Sequence, residues 1–243
     1  GASDMVLADD NFATIINAVE EGRKVYSNIK KAIQSLLSTN IAEVLCLFIV
    51  TMIMPAGTIF LTPVMILWVN LVTDSLPALA LGMEKAEPDI MNDPPRKQGS
   101  SLFSGITGKN VLIQGVLQTI IVLSVYFIGF AMFNDIDPRY PSTMAFVSLC
   151  MIELFHAYNC RSQDKSLFRE NPLSNKHLNL AFLVGTVLLG IALVLPFMQT
   201  AFNAILLTPL QFAISLGFAI LIIPFVEVQK AIENAIIKKR VKN

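Results

Sequence analysis

The sequence predicts an all-α protein: a polytopic membrane helix bundle of six spans, entered through an N-terminal cytoplasmic stalk helix. Three observations lead there. Hydrophobic residues fill 54% of the 243 positions and mean hydropathy is +0.62, above what a soluble domain tolerates. Six segments reach bilayer length. The basic residues gather almost wholly on one side of those segments.

Composition also sets limits. Charged residues make up 15% of the chain and the net charge is zero, so nothing points to a nucleic-acid partner. Cys46, Cys150 and Cys160 all fall in apolar segments. An odd, buried set is no disulfide framework, and the spacing matches no zinc pattern; these read as small core-filling thiols. The N-terminus lacks a basic-then-apolar signal and opens abruptly on Gly1-Ala2-Ser3-Asp4, as though cut from something longer.

Residues 1–34 are polar. Asp9-Asp10-Asn11 offers helix-starting side chains, and Phe12, Ile15, Ile16 and Val19 recur at helical spacing. Glu20-Glu21-Gly22 is expected to break or bend this helix. A second helical pattern runs through Val25, Ile29 and Ile33 into the first span. From Arg23 to Met54 there is no strong breaker, so the helix would be roughly 48 Å long at about 1.5 Å per residue and would stand above the membrane as a stalk. The expected spans are about 35–54, 62–82, 110–133, 142–160, 178–198 and 211–229. Pro55 closes the first, and Thr62-Pro63 supplies a cap and first turn for the second. The fourth is the least hydrophobic, carrying Glu153, His156 and Asn159, and needs shelter from lipid. Pro196 and Pro224 are expected to terminate or kink the fifth and sixth.

Of eighteen Lys and Arg residues, Arg139 alone lies on the side opposite the rest. By the positive-inside rule both ends are cytoplasmic. The outer loops, 55–61, 134–141 and 199–210, are short. The cytoplasmic loop 84–108 holds Glu87-Pro88-Asp89 and Asp93-Pro94-Pro95-Arg96, a polar stretch suited to docking on a soluble domain.

Three acids fall mid-span, Glu43, Asp74 and Glu153, with no Lys or Arg among them. Buried acids serving structure usually come with basic partners, and unpaired intramembrane acids mark an ion or proton path. Asn40 and Glu43 share one face of the first span; Asn70, Thr73 and Asp74 share one of the second. Pro77 cannot donate to the carbonyl of Thr73, so the helix should loosen beside the acid. Carboxylate, amide and hydroxyl oxygens suit a hard cation, and calcium tolerates irregular geometry better than magnesium. The candidate metal ligands are therefore Asn40, Glu43, Asn70, Thr73, Asp74 and Glu153. Emptied of metal, the acids should take up protons, because hydrocarbon disfavours their charged form. His156 reads as a packing or hydrogen-bonding residue, Glu227 as interfacial, and Trp68 as bulk facing lipid or core.

With these residues in view, the sequence closely resembles the C-terminal part of P-type ATPases of the calcium-pump, sarcoplasmic-reticulum-like type. The resemblance rests on Asp4-Met5-Val6-Leu7-Ala8-Asp9-Asp10-Asn11-Phe12, Glu20-Glu21-Gly22-Arg23, Tyr26, Ser38-Thr39-Asn40-Ile41-Ala42-Glu43-Val44, Leu67-Trp68-Val69-Asn70-Leu71-Val72-Thr73-Asp74 and Asp89-Ile90-Met91 through Pro94-Pro95-Arg96. It implies that residues 1–22 are the last piece of a phosphorylation domain and 23–243 the final six of ten membrane helices. Asn40, Glu43, Thr73, Asp74 and Glu153 would form one calcium site, and Asn70 and Asp74 would contribute to a second whose other ligands lie on an earlier helix. Ser75, where a glycine is common, and His156 depart from the pattern.

No Asp-Lys-Thr-Gly phosphorylation motif, nucleotide domain or Gly-Asp-Gly hinge occurs in the sequence. The chain alone is expected to be inactive, with no catalytic or cofactor-binding residues; Mg²⁺ and ATP would belong to cytoplasmic domains elsewhere. Its partners would be the lipid bilayer and the remaining N-terminal part of the pump. The expected function is the ion-binding part of an ATP-driven calcium exporter with proton countertransport. The alternatives are a pump for Na⁺, K⁺ or Mn²⁺, and a passive channel or secondary transporter. Transporters often carry paired broken helices in two half-repeats, and only one such break is evident here. A bacterial plasma membrane is favoured over an organelle.

Overall fold

The computed structural model describes residues 12–87, 89–92, 106–163, 165–169 and 171–242, and these are all-α. The expected helix start at Asp9-Asp10-Asn11 and the Asp93-Pro94-Pro95-Arg96 stretch lie outside them.

Helix α1 (Phe12–Ile53) runs 42 residues without a break. The break expected at Glu20-Glu21-Gly22 does not occur. A helical glycine costs only about 1 kcal/mol, and once a long helix is nucleated each added residue gains a hydrogen bond. The Lys24–Glu21 pair (3.0 Å) lies on the same turn. The helix ends two residues before Pro55, as expected.

Thr62 caps α2 (Pro63–Trp68), its hydroxyl accepting from the Met65 N–H at 3.3 Å, with Pro63 in the first turn. The chain then widens into a π-turn over Val69–Thr73 and returns to α-geometry in α3 (Ser75–Gly82). This is the loosening that Pro77 predicted.

Helix α4 (Ile106–Phe133) crosses α1 closely at Gly115. A Cβ there would sit 2.8 Å from Ile41 Cγ2 and 3.1 Å from the Ser38 carbonyl oxygen. Helix α5 (Arg139–Asn159) is buried at every position from Pro141 to Leu154. It packs against α1, α3 and α4, and against the later helices of the chain.

Two expected boundaries are corrected. The fifth apolar helix, α6 (Lys176–Val194), stops short of residue 198, because Leu195 is extended (ψ 123°) and Pro196 begins a new short helix, α7 (Pro196–Phe202). A left-handed Asn203 (φ 52°) ends α7. The sixth runs far beyond 229 and in two pieces, α8 (Pro209–Ile220) and α9 (Ile222–Lys242). They break at Leu221, where the ring of Pro224 would crowd the carbonyl of Ile220.

Among the described residues five helical stretches are long and apolar enough to cross a membrane: 13–53, 63–82, 107–133, 176–194 and 209–237. Helix α5 falls short in apolarity, and the structure places it inside the bundle instead. There Tyr126, Phe146, Leu149, Ile152 and Ile222 form part of the apolar core. The three cysteines are buried and unpaired, as expected of core-filling thiols.

Candidate cation site

Helical periodicity on three elements brings the mid-span acids inward. Glu43 on α1, Asp74 after the π-turn and Glu153 on α5 are each 2–6% exposed. Their carboxyls lie within electrostatic reach of one another: Glu153 feels both Asp74 and Glu43, and Asp74 feels Glu43.

Each acid is held by a neutral donor from another element. Asn70 Nδ2 donates to Glu43 Oε2 at 3.1 Å. Thr39 Oγ1 donates to Asp74 Oδ1 at 2.9 Å. Thr73 Oγ1 donates to Glu153 Oε2 in a short contact. The second oxygen of that carboxyl, Oε1, is buried with no protein hydrogen-bond partner.

The π-turn explains why Asn70, Thr73 and Asp74 point where they do. An i to i+4 helix places residues three and four apart on one flank, and one extra residue in a turn rotates the side chains beyond it. Here the Asp74 N–H reaches back five residues to the Val69 carbonyl (3.0 Å). Ser75, found where the resembled family often has glycine, donates its hydroxyl to the Asn70 carbonyl at 3.1 Å. The departure thus supplies a bond to the widened turn.

Five of the six candidate ligands are joined in this way. Asn40 is half-buried beside them, and its amide nitrogen donates to the Leu36 carbonyl of its own helix at 2.7 Å. Thr39 is not among the ligands expected from sequence, yet it is the residue that bonds Asp74. A signal for it exists: Thr39 lies four before Glu43 and so on the same helical flank. Among the described residues no three His, Cys, Asp or Glu side chains converge tightly enough to enclose a metal ion. The donor set nevertheless suits a hard cation, being carboxyl, hydroxyl and amide without a basic group in the described contacts.

The other residues singled out in the sequence make contacts within the fold, and His156 is a hydrogen-bonding residue, as expected. His156 Nε2 is 2.9 Å from Ser38 Oγ and 3.3 Å from Cys160 Sγ. Glu227 Oε1 accepts from the Leu167 N–H at 2.9 Å. Trp68 packs edge-on against Phe202, ring centroids 5.3 Å apart.

Residues 58–232 match the family described as cation transporting ATPase, C-terminus. The chain is 38% identical over its whole length to "Calcium-transporting ATPase 1" of Bacillus cereus, of which it covers 28%. It is also 38% identical, over 90% of its length, to "Calcium-transporting ATPase" of Bacillus subtilis, covering 24%. It is 36% identical over 91% of its length to "Calcium-transporting ATPase 3, endoplasmic reticulum-type" of Arabidopsis thaliana, covering 25%. The chain therefore spans about a quarter of the length of these relatives.

Proposed function

We propose, from the premise that this chain belongs to the family of cation-transporting ATPase C-terminal regions, that it is the ion-binding membrane part of an ATP-driven calcium exporter. The observation that carries the reading is that Glu43, Asp74 and Glu153, buried on three elements, are each bonded to an Asn or Thr in place of a basic residue. Acids kept in hydrocarbon on neutral donors alone are poised to exchange protons for a cation.

On this reading Asn40, Glu43, Asn70, Thr73, Asp74 and Glu153 are ligands of the transported Ca²⁺. Three changes admit the ion. The Asn70 amide turns its oxygen, now pointing away from Glu43, toward the centre; the Thr73 hydroxyl rotates its lone pairs inward; the carboxyls release their protons. The protons travel in the opposite direction. Asp74, next to the π-turn, serves both ions on this reading, as the resemblance implies.

The wider architecture rests on the same premise. Helix α5 is a sixth span, sheathed by its neighbours, and α1 continues from the membrane as a stalk. Residues 1–22 belong to a phosphorylation domain, while ATP and Mg²⁺ act in cytoplasmic domains of the longer pump. Phosphorylation there would move the stalk and so open and close the site by alternating access. Both termini are cytoplasmic, and the bacterial relatives favour a bacterial plasma membrane.

Calcium uptake by vesicles holding the full-length pump, with and without ATP, tests this. Uptake should need ATP and vanish in Asp74→Asn and Glu43→Gln. Stimulation by Na⁺, K⁺ or Mn²⁺ but not Ca²⁺ would replace the ion. Downhill calcium flux without ATP would replace the pump by a passive pathway.

A further inference from the structure

A second polar node lies some distance from the site, at the other end of the same helices. Glu84, two residues beyond α3, and Arg161, two beyond α5, form a buried ion pair. Arg161 Nε donates to Glu84 Oε2 at 2.9 Å and Nη2 to Oε1 at 3.1 Å, a fork on both carboxylate oxygens. The rest of the guanidinium is also used. Nη1 donates to the Asn171 and Pro172 carbonyls (3.1 and 2.6 Å), and Nη2 to Ser174 Oγ (2.6 Å).

Two asparagines converge on the same acid. Asn175, whose side chain caps α6, donates to Glu84 Oε2 at 2.9 Å and to the Ala80 carbonyl at 3.2 Å. Asn28 of α1 donates to the Glu84 carbonyl at 2.8 Å and the Gly82 carbonyl at 3.2 Å. Glu84 thus ties together α1, which carries Asn40 and Glu43, α3, which continues directly from the π-turn and Asp74, and the end of α5, which carries Glu153. Burial pushes its carboxyl up, but the hydrogen bonds from Arg161 and Asn175 and the charges of Arg161 and Lys31 outweigh this. The group stays below the ordinary glutamate range.

We infer that the Glu84–Arg161 pair, with Asn28 and Asn175, is a positioning clasp that sets how the acid-bearing helices lie against one another at the cation site. The inference rests on the calcium reading. The geometry is that of a beam fixed at two points. Glu84 is ten residues from Asp74 and Arg161 eight from Glu153, roughly 15 and 12 Å along their helices. The two elements meet at the Thr73–Glu153 bond and again at this fork. Fixing the far end removes the freedom to slide or rotate, so it sets the distance between Asp74 and Glu153 without touching the ion. A rigid planar guanidinium suits this use; a lysine in its place would hold the charge but not the angle.

The test uses the full-length pump and reads ATP hydrolysis against free calcium. Removing both charges together, in Glu84→Gln with Arg161→Met, leaves no buried orphan charge to unfold the protein. The calcium needed for half-activation should rise about tenfold, as when the supports of a metal's ligands are removed. Maximal rate and the KM for ATP should stay near wild type. Arg161→Lys should fall between the two, and carries the test if the double variant does not fold. A half-activation value unchanged in a calcium-stimulated enzyme overturns the clasp, as does a fall confined to maximal rate. If the wild-type pump shows no calcium stimulation, the calcium reading falls and the clasp's role falls with it.

Discussion

A carboxyl taken out of water with no cation beside it costs several kcal/mol if ionised, and in this protein hydroxyls and amides offset part of that cost. The consequence differs among the donors. Thr39→Val removes the hydroxyl that donates to buried Asp74, leaving an unsatisfied oxygen at a cost of about 1–3 kcal/mol. Calcium binding to the full-length protein, measured with a radioactive tracer, should weaken while Ser38→Ala changes it little. Glu153→Gln keeps a partner for Thr73 but supplies a weaker ligand; binding should fall in amount or affinity with the protein still folded by thermal melting. The three acids are readable from sequence because unpaired charge in an apolar run has no ordinary structural explanation. Thr39 leaves only a weak trace, its place on the flank of Glu43, because a helical threonine commonly bonds its own backbone, as this one also does to Leu36 at 2.9 Å.

For the elements, the π-turn and the α1–α4 crossing are the sensitive places. Pro77→Ala would restore an N–H four residues after Thr73 and allow the Val69–Thr73 turn to tighten into an α-helix. Thermal stability should hold or rise, since a proline within a helix is removed, while calcium half-activation rises because Asn70 and Asp74 no longer share their present flank. A higher melting temperature with unchanged calcium response would show the widening to be incidental. Gly115→Ala pushes a methyl against Ile41 and the Ser38 carbonyl; overpacking of this kind costs about 1–3 kcal/mol and should lower the midpoint of thermal unfolding in detergent. The widened turn is legible because a proline leaves a local signature. The uninterrupted passage of α1 through Gly22 is not, because it depends on the whole length of the helix and not on the three residues that suggest a bend.

At the scale of the molecule, the charged belt beyond the spans ties loop to loop. Glu87 meets Lys31 at 3.1 Å and Lys165 at 2.8 Å, and Lys165 also meets Asp89 at 2.8 Å. Burial raises the Glu87 carboxyl, but bonds from Lys165 and the charges of Lys31 and Lys165 outweigh it, leaving it below the ordinary value of 4.5. Glu84 is lowered in the same way. For an acid depressed on folding, the stabilisation is complete above its unfolded value and is lost as pH falls through the folded one. The part of the stability that Glu84 and Glu87 supply in detergent should therefore hold from neutrality down to about pH 4.5 and fall below it. The loss should shrink in Glu87→Gln, whose melting temperature is lower at pH 7 but flatter on acidification. No sequence pattern announces these long-range pairs: Lys31 and Glu87 stand far apart in the chain, and only its folded path brings them into contact.

The enclosure of α5 has a bearing on how the protein is made. A segment packed mainly against other helices, and carrying Glu153, His156 and Asn159 inward, partitions poorly into lipid by itself as it leaves the ribosome. It should linger at the insertion machinery until α6 and α8 arrive to wrap it. A nascent chain halted shortly after residue 160 should leave this segment open to added protease, and a chain continued past α9 should seal it.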